Sequence, residues 1–217
     1  MLPHRALLAV LSLLALGLGA RAETRIPPDA PPAAGVEAIT PPQAVPSSLI
    51  AGHFRLAAPD GAAVDSDDLS GKPYALFFGF THCPDICPTT LSEVSLALAR
   101  LPAGAPDLKV YFVSVDPERD TGEVLARYMA SFDPRIVALS GARPAVDEAI
   151  RSFGVVARRT DFPNGAYAYG HTAAIYLIDG DGVIVDRVGA GKGPDALAER
   201  LTAFLAPPPA PPAPPTP

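Results

Sequence analysis

Tyr74-Ala75-Leu76-Phe77-Phe78-Gly79-Phe80, followed by Thr81-His82-Cys83-Pro84-Asp85-Ile86-Cys87-Pro88, is the stretch on which the fold turns. Its first seven residues are nearly all apolar and too few for a buried helix, which predicts a strand covered on both faces. After the cysteines, Pro88–Leu101 carries Leu91, Val94, Leu98 and Leu101 at helical spacing, and Pro88 suits a first helical turn. Leu108–Val115 reads as the next buried strand, so a β-α-β succession is expected around the cysteines. Farther on, Thr121–Phe132 shows one apolar helical face (Val124, Leu125, Tyr128, Met129, Phe132), Ile136–Leu139 is a short strand, and Val146, Ile150 and Phe153 mark a helix ended by Gly154. Ala173–Ile178 and Val183–Val188 flank Asp179-Gly180-Asp181-Gly182, a strong hairpin signal, and a last helix follows Pro194. Upstream, Phe54–Ala57 and Ala62–Val64 flank a Pro59-Asp60-Gly61 turn. The order predicts an α/β, thioredoxin-like fold with an added N-terminal β-hairpin and helices on both faces of the sheet.

The domain limits follow from composition. Of 27 prolines in 217 residues, seven fall in Glu23–Ile50 and eight in Pro207–Pro217, whereas all fifteen aromatics lie between Ala51 and Ala206. A core needs large apolar side chains, so residues 51–206 are the folded domain, 23–50 a Pro/Ala-rich linker and 207–217 a Pro-rich disordered tail. Residues 1–22 read as an export signal: His4 and Arg5 precede an apolar run to Ala20, and Ala20-Arg21-Ala22 fits the small-x-small cleavage pattern. Cleavage after Ala22 is the preferred reading, and an uncleaved anchor over residues 2–20 is the alternative. Either places the domain across the inner membrane, in the periplasm, where disulfides form. With 14 Lys/Arg against 20 Asp/Glu, the domain argues against nucleic acid as a partner.

Cys83 and Cys87 are the only cysteines. Their i, i+4 spacing at a helix start brings both sulfurs to one side of a turn, close enough to share a metal or form a disulfide. A disulfide staple across five residues would restrict the unfolded chain little. The helix N-terminus is expected to lower the pKa of these thiols, and the junction of strand and helix to leave them exposed to an attacking reductant.

The chain resembles the SCO/SenC copper-delivery proteins associated with cytochrome c oxidase assembly. The resemblance spans about Phe54 to Phe204. It rests on Phe77-Phe78-Gly79-Phe80-Thr81-His82-Cys83-Pro84-Asp85-Ile86-Cys87-Pro88, on Val113-Ser114-Val115-Asp116-Pro117-Glu118-Arg119-Asp120-Thr121, and on Gly170-His171-Thr172 before the strand ending at Asp179-Gly180. It implies one copper ion held by Cys83, Cys87 and His171, a copper-site subunit of cytochrome c oxidase as acceptor, and a copper donor; the oxidising compartment, which favours a Cys83–Cys87 disulfide, adds a thiol reductant as a further expected partner. The donor types agree: two thiolates and an imidazole suit Cu(I) and also hold Cu(II), whereas a closed zinc site wants a fourth protein ligand.

His82 is expected to point away from its neighbour Cys83, and His53 to be a surface residue. The resemblance places Asp116 near the metal as a supporting or docking group rather than a ligand. Asp120 reads as the N-cap of the following helix, with Glu123 at N3. Arg158-Arg159 and the loop Asp161–Tyr169, with Gly165, Tyr167 and Tyr169, read as an aromatic partner-contact loop or a solvated hairpin tip. Two other functions would use the same residues. A thiol-disulfide oxidoreductase would exploit the cysteine pair, although Cys-x-x-x-Cys departs from the usual two-residue spacing. A peroxiredoxin-like peroxidase shares the fold, but no Pro-x-x-x-Thr-x-x-Cys precedes either cysteine.

Overall fold

A computed structural model describes residues 49–50 and 52–206. The signal or anchor over residues 1–22, most of the linker and the tail 207–217 lie outside the described residues. In chain order the strands and helices are β1 (Leu49–Ile50), β2 (Arg55–Ala57), β3 (Ala63–Asp65), β4 (Tyr74–Gly79), α1 (Ile86–Ala99), β5 (Lys109–Ser114), α2 (Gly122–Met129), β6 (Ile136–Leu139), α3 (Arg143–Ser152), β7 (Ala157–Asp161), β8 (Tyr167–His171), β9 (Ala174–Ile178), β10 (Val183–Gly189) and α4 (Pro194–Leu205). A 3-10 turn, Ser66–Leu69, follows β3. Leu49–Ile50, the last two residues of the stretch read as linker, pair with β10 at the sheet edge.

The central sheet has the order β1-β10-β9-β4-β5-β6. β4, β5 and β6 run parallel, and β9 lies antiparallel against β4. Every residue of β4 is buried, so the absence of alternation in Tyr74–Gly79 reflects cover on both faces. Its side chains nevertheless divide. Phe78 meets Phe153, just past α3, and Tyr176 of β9, while Tyr74 meets Phe54 and Tyr111. On the opposite face Phe77 packs on Phe112, which in turn packs on Tyr128 of α2. Gly79 faces Cys87 of α1 and the same Phe112 ring. Thus α1 and α2 share one face, and α3 with the β2–β3 segment covers the other.

Two registers decide where the chemistry lies. Gly79 aligns with Ser114, so β4 and β5 end together. Phe77 aligns with Ile175 in the antiparallel pair, which brings the residues just before β9 to that same edge. β7 and β8 form a separate two-stranded hairpin between α3 and β9, a pair of strands absent from the sequence reading.

Candidate metal centre

Cys83 lies in the turn after β4, and Cys87 is the second residue of α1. Asp85, at the N-cap position, makes no side-chain cap hydrogen bond. Instead the Cys83 sulfur accepts the Cys87 backbone N–H at 3.4 Å, as a capping oxygen would. Both cysteines are free thiols. His171 closes β8, and its Nε2 lies 3.3 Å from Cys87 Sγ. One ligand atom each from Cys83, Cys87 and His171 lies within 4.8 Å of the others, with no further His, Cys, Asp or Glu in that group among the described residues. The backbone topology thus brings together residues 84 positions apart.

The tautomer of His171 suits ligation. Its Nδ1 lies 3.1 Å from the Thr172 carbonyl, which can only accept, so Nδ1 carries the proton and the Nε2 lone pair faces the sulfurs. Phe77 and Phe80 stand edge-on to the imidazole, and burial among them pushes its pKa below the ordinary histidine value. The ring is therefore neutral, the form that binds metal.

Burial also overturns the expectation for the thiols. Cys87 is fully buried, and desolvation of the thiolate, followed by the adjoining Cys83, pushes its pKa up strongly rather than down. The helix N-terminus does not compensate for the lost water. Nor is the pair exposed, since Cys83 is 8% accessible and Cys87 not at all.

The other candidates separate cleanly. His82 has a half-exposed side chain, with Nδ1 near Thr81 Oγ1, and lies outside the three-residue group. His53 is exposed and sits with Asp65 and Asp67, where Ser66 Oγ and Asp67 engage its Nδ1 and Arg55 pairs with Asp65. Asp116 is fully buried, and its carboxylate accepts from the Arg119 Nε and, at 2.9 Å, from the Tyr167 hydroxyl. It does not join the sulfurs and imidazole.

The stretch read as a contact loop or solvated tip is a hairpin whose one face turns inward. Tyr167 lies between the guanidinium groups of Arg119 and Arg159, each 3.7 Å from the ring centroid. Arg119 also donates to the Tyr167 carbonyl at 3.0 Å. Tyr169 packs edge-on to Phe80, and its hydroxyl accepts from Arg143 at 3.0 Å. Alternate residues of a strand share a face, so Tyr167, Tyr169 and His171 form one inward row. Two aromatic fasteners and one ligand make up that row. The pairing of Arg119, Arg143 and Arg159 with these tyrosines is not legible in the sequence, because most of the partners are remote along the chain. Asp120 is a correction: Thr121 caps α2, accepting from Val124 N–H at 3.4 Å, and the Asp120 carboxylate turns elsewhere.

The model of the SCO1/SenC family matches residues 42–206. The chain belongs to this family. It is 34% identical over 162 residues to the mitochondrial protein SCO1 homolog of Homo sapiens, covering 73% of this chain and 54% of the human one. This SCO1/SenC chain thus spans about half the length of that relative. Its fold superposes on Bradyrhizobium japonicum ScoI solved with copper bound, with TM-score 0.66 and 41% identity over 72% of this chain and all of the other. Yeast Sco1 with copper bound gives TM-score 0.65 and 30% identity over 71% and 87% of the two chains. These likenesses fix the class as α/β and thioredoxin-like.

Proposed function

We propose that this protein binds one copper ion through Cys83, Cys87 and His171 and delivers it to the copper-site subunit of cytochrome c oxidase during assembly. The observation that carries the reading is the convergence of two sulfurs and one imidazole within 4.8 Å, with no fourth His, Cys, Asp or Glu in the group among the described residues. Such a soft, low-coordinate set suits copper and is one ligand short of a closed zinc site. Copper in the Bradyrhizobium and yeast structures, on the same fold at 30–41% identity, supports it. The burial of both sulfurs, Cys83 8% accessible and Cys87 not at all, weighs against a primary role in thiol-disulfide exchange, which needs an accessible attacking thiolate.

Copper is the cargo. His171 offers Nε2 while Thr172 holds the proton on Nδ1, and the cysteines must release their protons as they ligate. Loading accordingly strengthens as pH rises. A Cys83–Cys87 disulfide would remove two of three donors, so a thiol reductant and a copper donor belong to the working cycle. We place that cycle in the periplasm, after export directed by residues 1–22. Asp116 serves by holding Tyr167, four residues before His171, and not by ligation.

Copper titration of the reduced protein tests the reading. One tightly bound ion is expected, lost in Cys83→Ala, Cys87→Ala and His171→Ala and kept in His82→Ala and His53→Ala. Tight binding of one copper by the folded His171→Ala protein would overturn the assignment.

A further inference from the structure

Of the three proposed ligands, Cys83 has the least support of its own. Cys87 is built into α1 and packed against Gly79, and His171 closes a strand held by two tyrosines. Cys83 stands in a turn, its N–H reaching the Phe80 carbonyl at 3.3 Å. The firm attachment of that turn is Thr81, two residues earlier. Asp120, only 1% exposed, accepts the Thr81 backbone N–H at 3.0 Å, the Thr81 hydroxyl at 2.6 Å and the Ser114 hydroxyl at 2.5 Å. Because the Thr81 hydroxyl proton is committed to Asp120, its oxygen can only accept from His82 Nδ1 at 3.1 Å, which fixes the tautomer of that ring too.

The far side of the attachment is equally fixed. Ser114 Oγ accepts the Asp116 N–H at 3.0 Å, and the Asp120 N–H donates to the Asp116 carbonyl at 2.9 Å. The carboxylate therefore ties the end of β4 to the end of β5 at the edge where the sulfurs lie. Since Thr121 caps α2, the helix has no need of an acid at position 120. We infer that Asp120 is a positioning residue whose carboxylate, acting through Thr81, sets where Cys83 Sγ stands relative to Cys87 Sγ and His171 Nε2 before copper arrives. This rests on the three-ligand reading above. Preformed donor sets need support at about the 0.5 Å level, and a buried carboxylate with three donors provides it.

The test uses the full-length protein and Asp120→Asn, which keeps size and shape while one acceptor oxygen becomes a donor. Hydrogen bonds to charged groups are worth enough that copper affinity, read by chelator competition, should fall about 10- to 100-fold. The sulfur-to-Cu(II) charge-transfer absorption should shift, and the apo thiols should react faster with an aromatic disulfide. Thr81→Val should move all three readouts the same way by less. Asp133→Asn is the control: that carboxylate, held by Arg135 before β6, lies at the opposite end of the parallel strands and should lower stability without moving them. A folded Asp120→Asn protein with wild-type affinity, absorption and thiol reactivity would overturn the inference. Should Asp120→Asn not fold, Thr81→Val and Ser114→Ala decide on the same readouts. If the wild-type protein takes up no copper, the metallochaperone reading falls, and thiol reactivity alone then decides for or against the role of Asp120.

Discussion

Replacing Gly79 by alanine should deform the centre from its floor. A Cβ at position 79 would stand 2.6 Å from Phe112 Cε2 and 3.0 Å from Cys87 Sγ. Ordinary contact begins near 3.4 Å, so the phenyl ring must retreat by about 0.8 Å and the sulfur by about 0.4 Å. The ring has little freedom, being fully buried between Phe77 and Tyr128. The relief therefore falls partly on α1 and should shift Cys87 from its place 3.3 Å from His171 Nε2. Overpacking of this kind costs about 1–3 kcal/mol, or roughly 2–12 °C in Tm for a domain of this size. Gly170→Ala supplies the comparison, because a Cβ there meets nothing within 4 Å although it adjoins His171. Differential scanning calorimetry and chelator competition on both variants give the answer. Wild-type Tm and copper affinity in Gly79→Ala would refute the reasoning, as would an equal loss in Gly170→Ala.

Tyr167→Phe removes the hydroxyl that donates to buried Asp116 and should cost about 1–2 kcal/mol. Hydrogen exchange should then quicken in β7 and β8 while β4 and β5 keep their protection, and unchanged exchange in the hairpin would contradict its fastening by that bond. Arg143, beside Glu118, holds the Glu118 carboxyl down at about 2. A folded pKa below the unfolded one gives stability that is present above about pH 4.5 and lost as pH falls toward 2. Because the Glu118 side chain is 47% exposed, the effect should stay below about 1 kcal/mol. Glu118→Gln should accordingly be slightly less stable than wild type at pH 7 and equal to it near pH 2 in denaturant titrations, whereas a gap that widens on acidification would reverse the sign.

The β-α framework was legible because its strands are apolar runs and its helices keep a 3.6-residue period, from Tyr74–Gly79 through α4. The three converging side chains were legible from the separated motifs. What escaped was set by tertiary surroundings. Arg158-Arg159-Thr160-Asp161 carries no apolar alternation, being mostly exposed, so β7 left no trace in the pattern. Asp120-Thr121-Gly122-Glu123 offers two capping residues in adjacent positions, and only the fold shows that Thr121 caps while Asp120 serves the cysteine turn. The rise in the Cys87 pKa is not legible in the motif, because its desolvation comes from the fold whereas the helix start is plain in the sequence.

The unequal burial of the two sulfurs gives the centre a direction. Cys87 Sγ is fully buried against Gly79, while Cys83 keeps a sliver of accessible surface and His171 is partly open. On the proposed copper-carrying role, a donor atom arriving from another protein would meet the ion on the Cys83 and His171 side rather than past the buried Cys87. Exchange of ligands there should then run from the outside in, with Cys87 expected to be the last to let go.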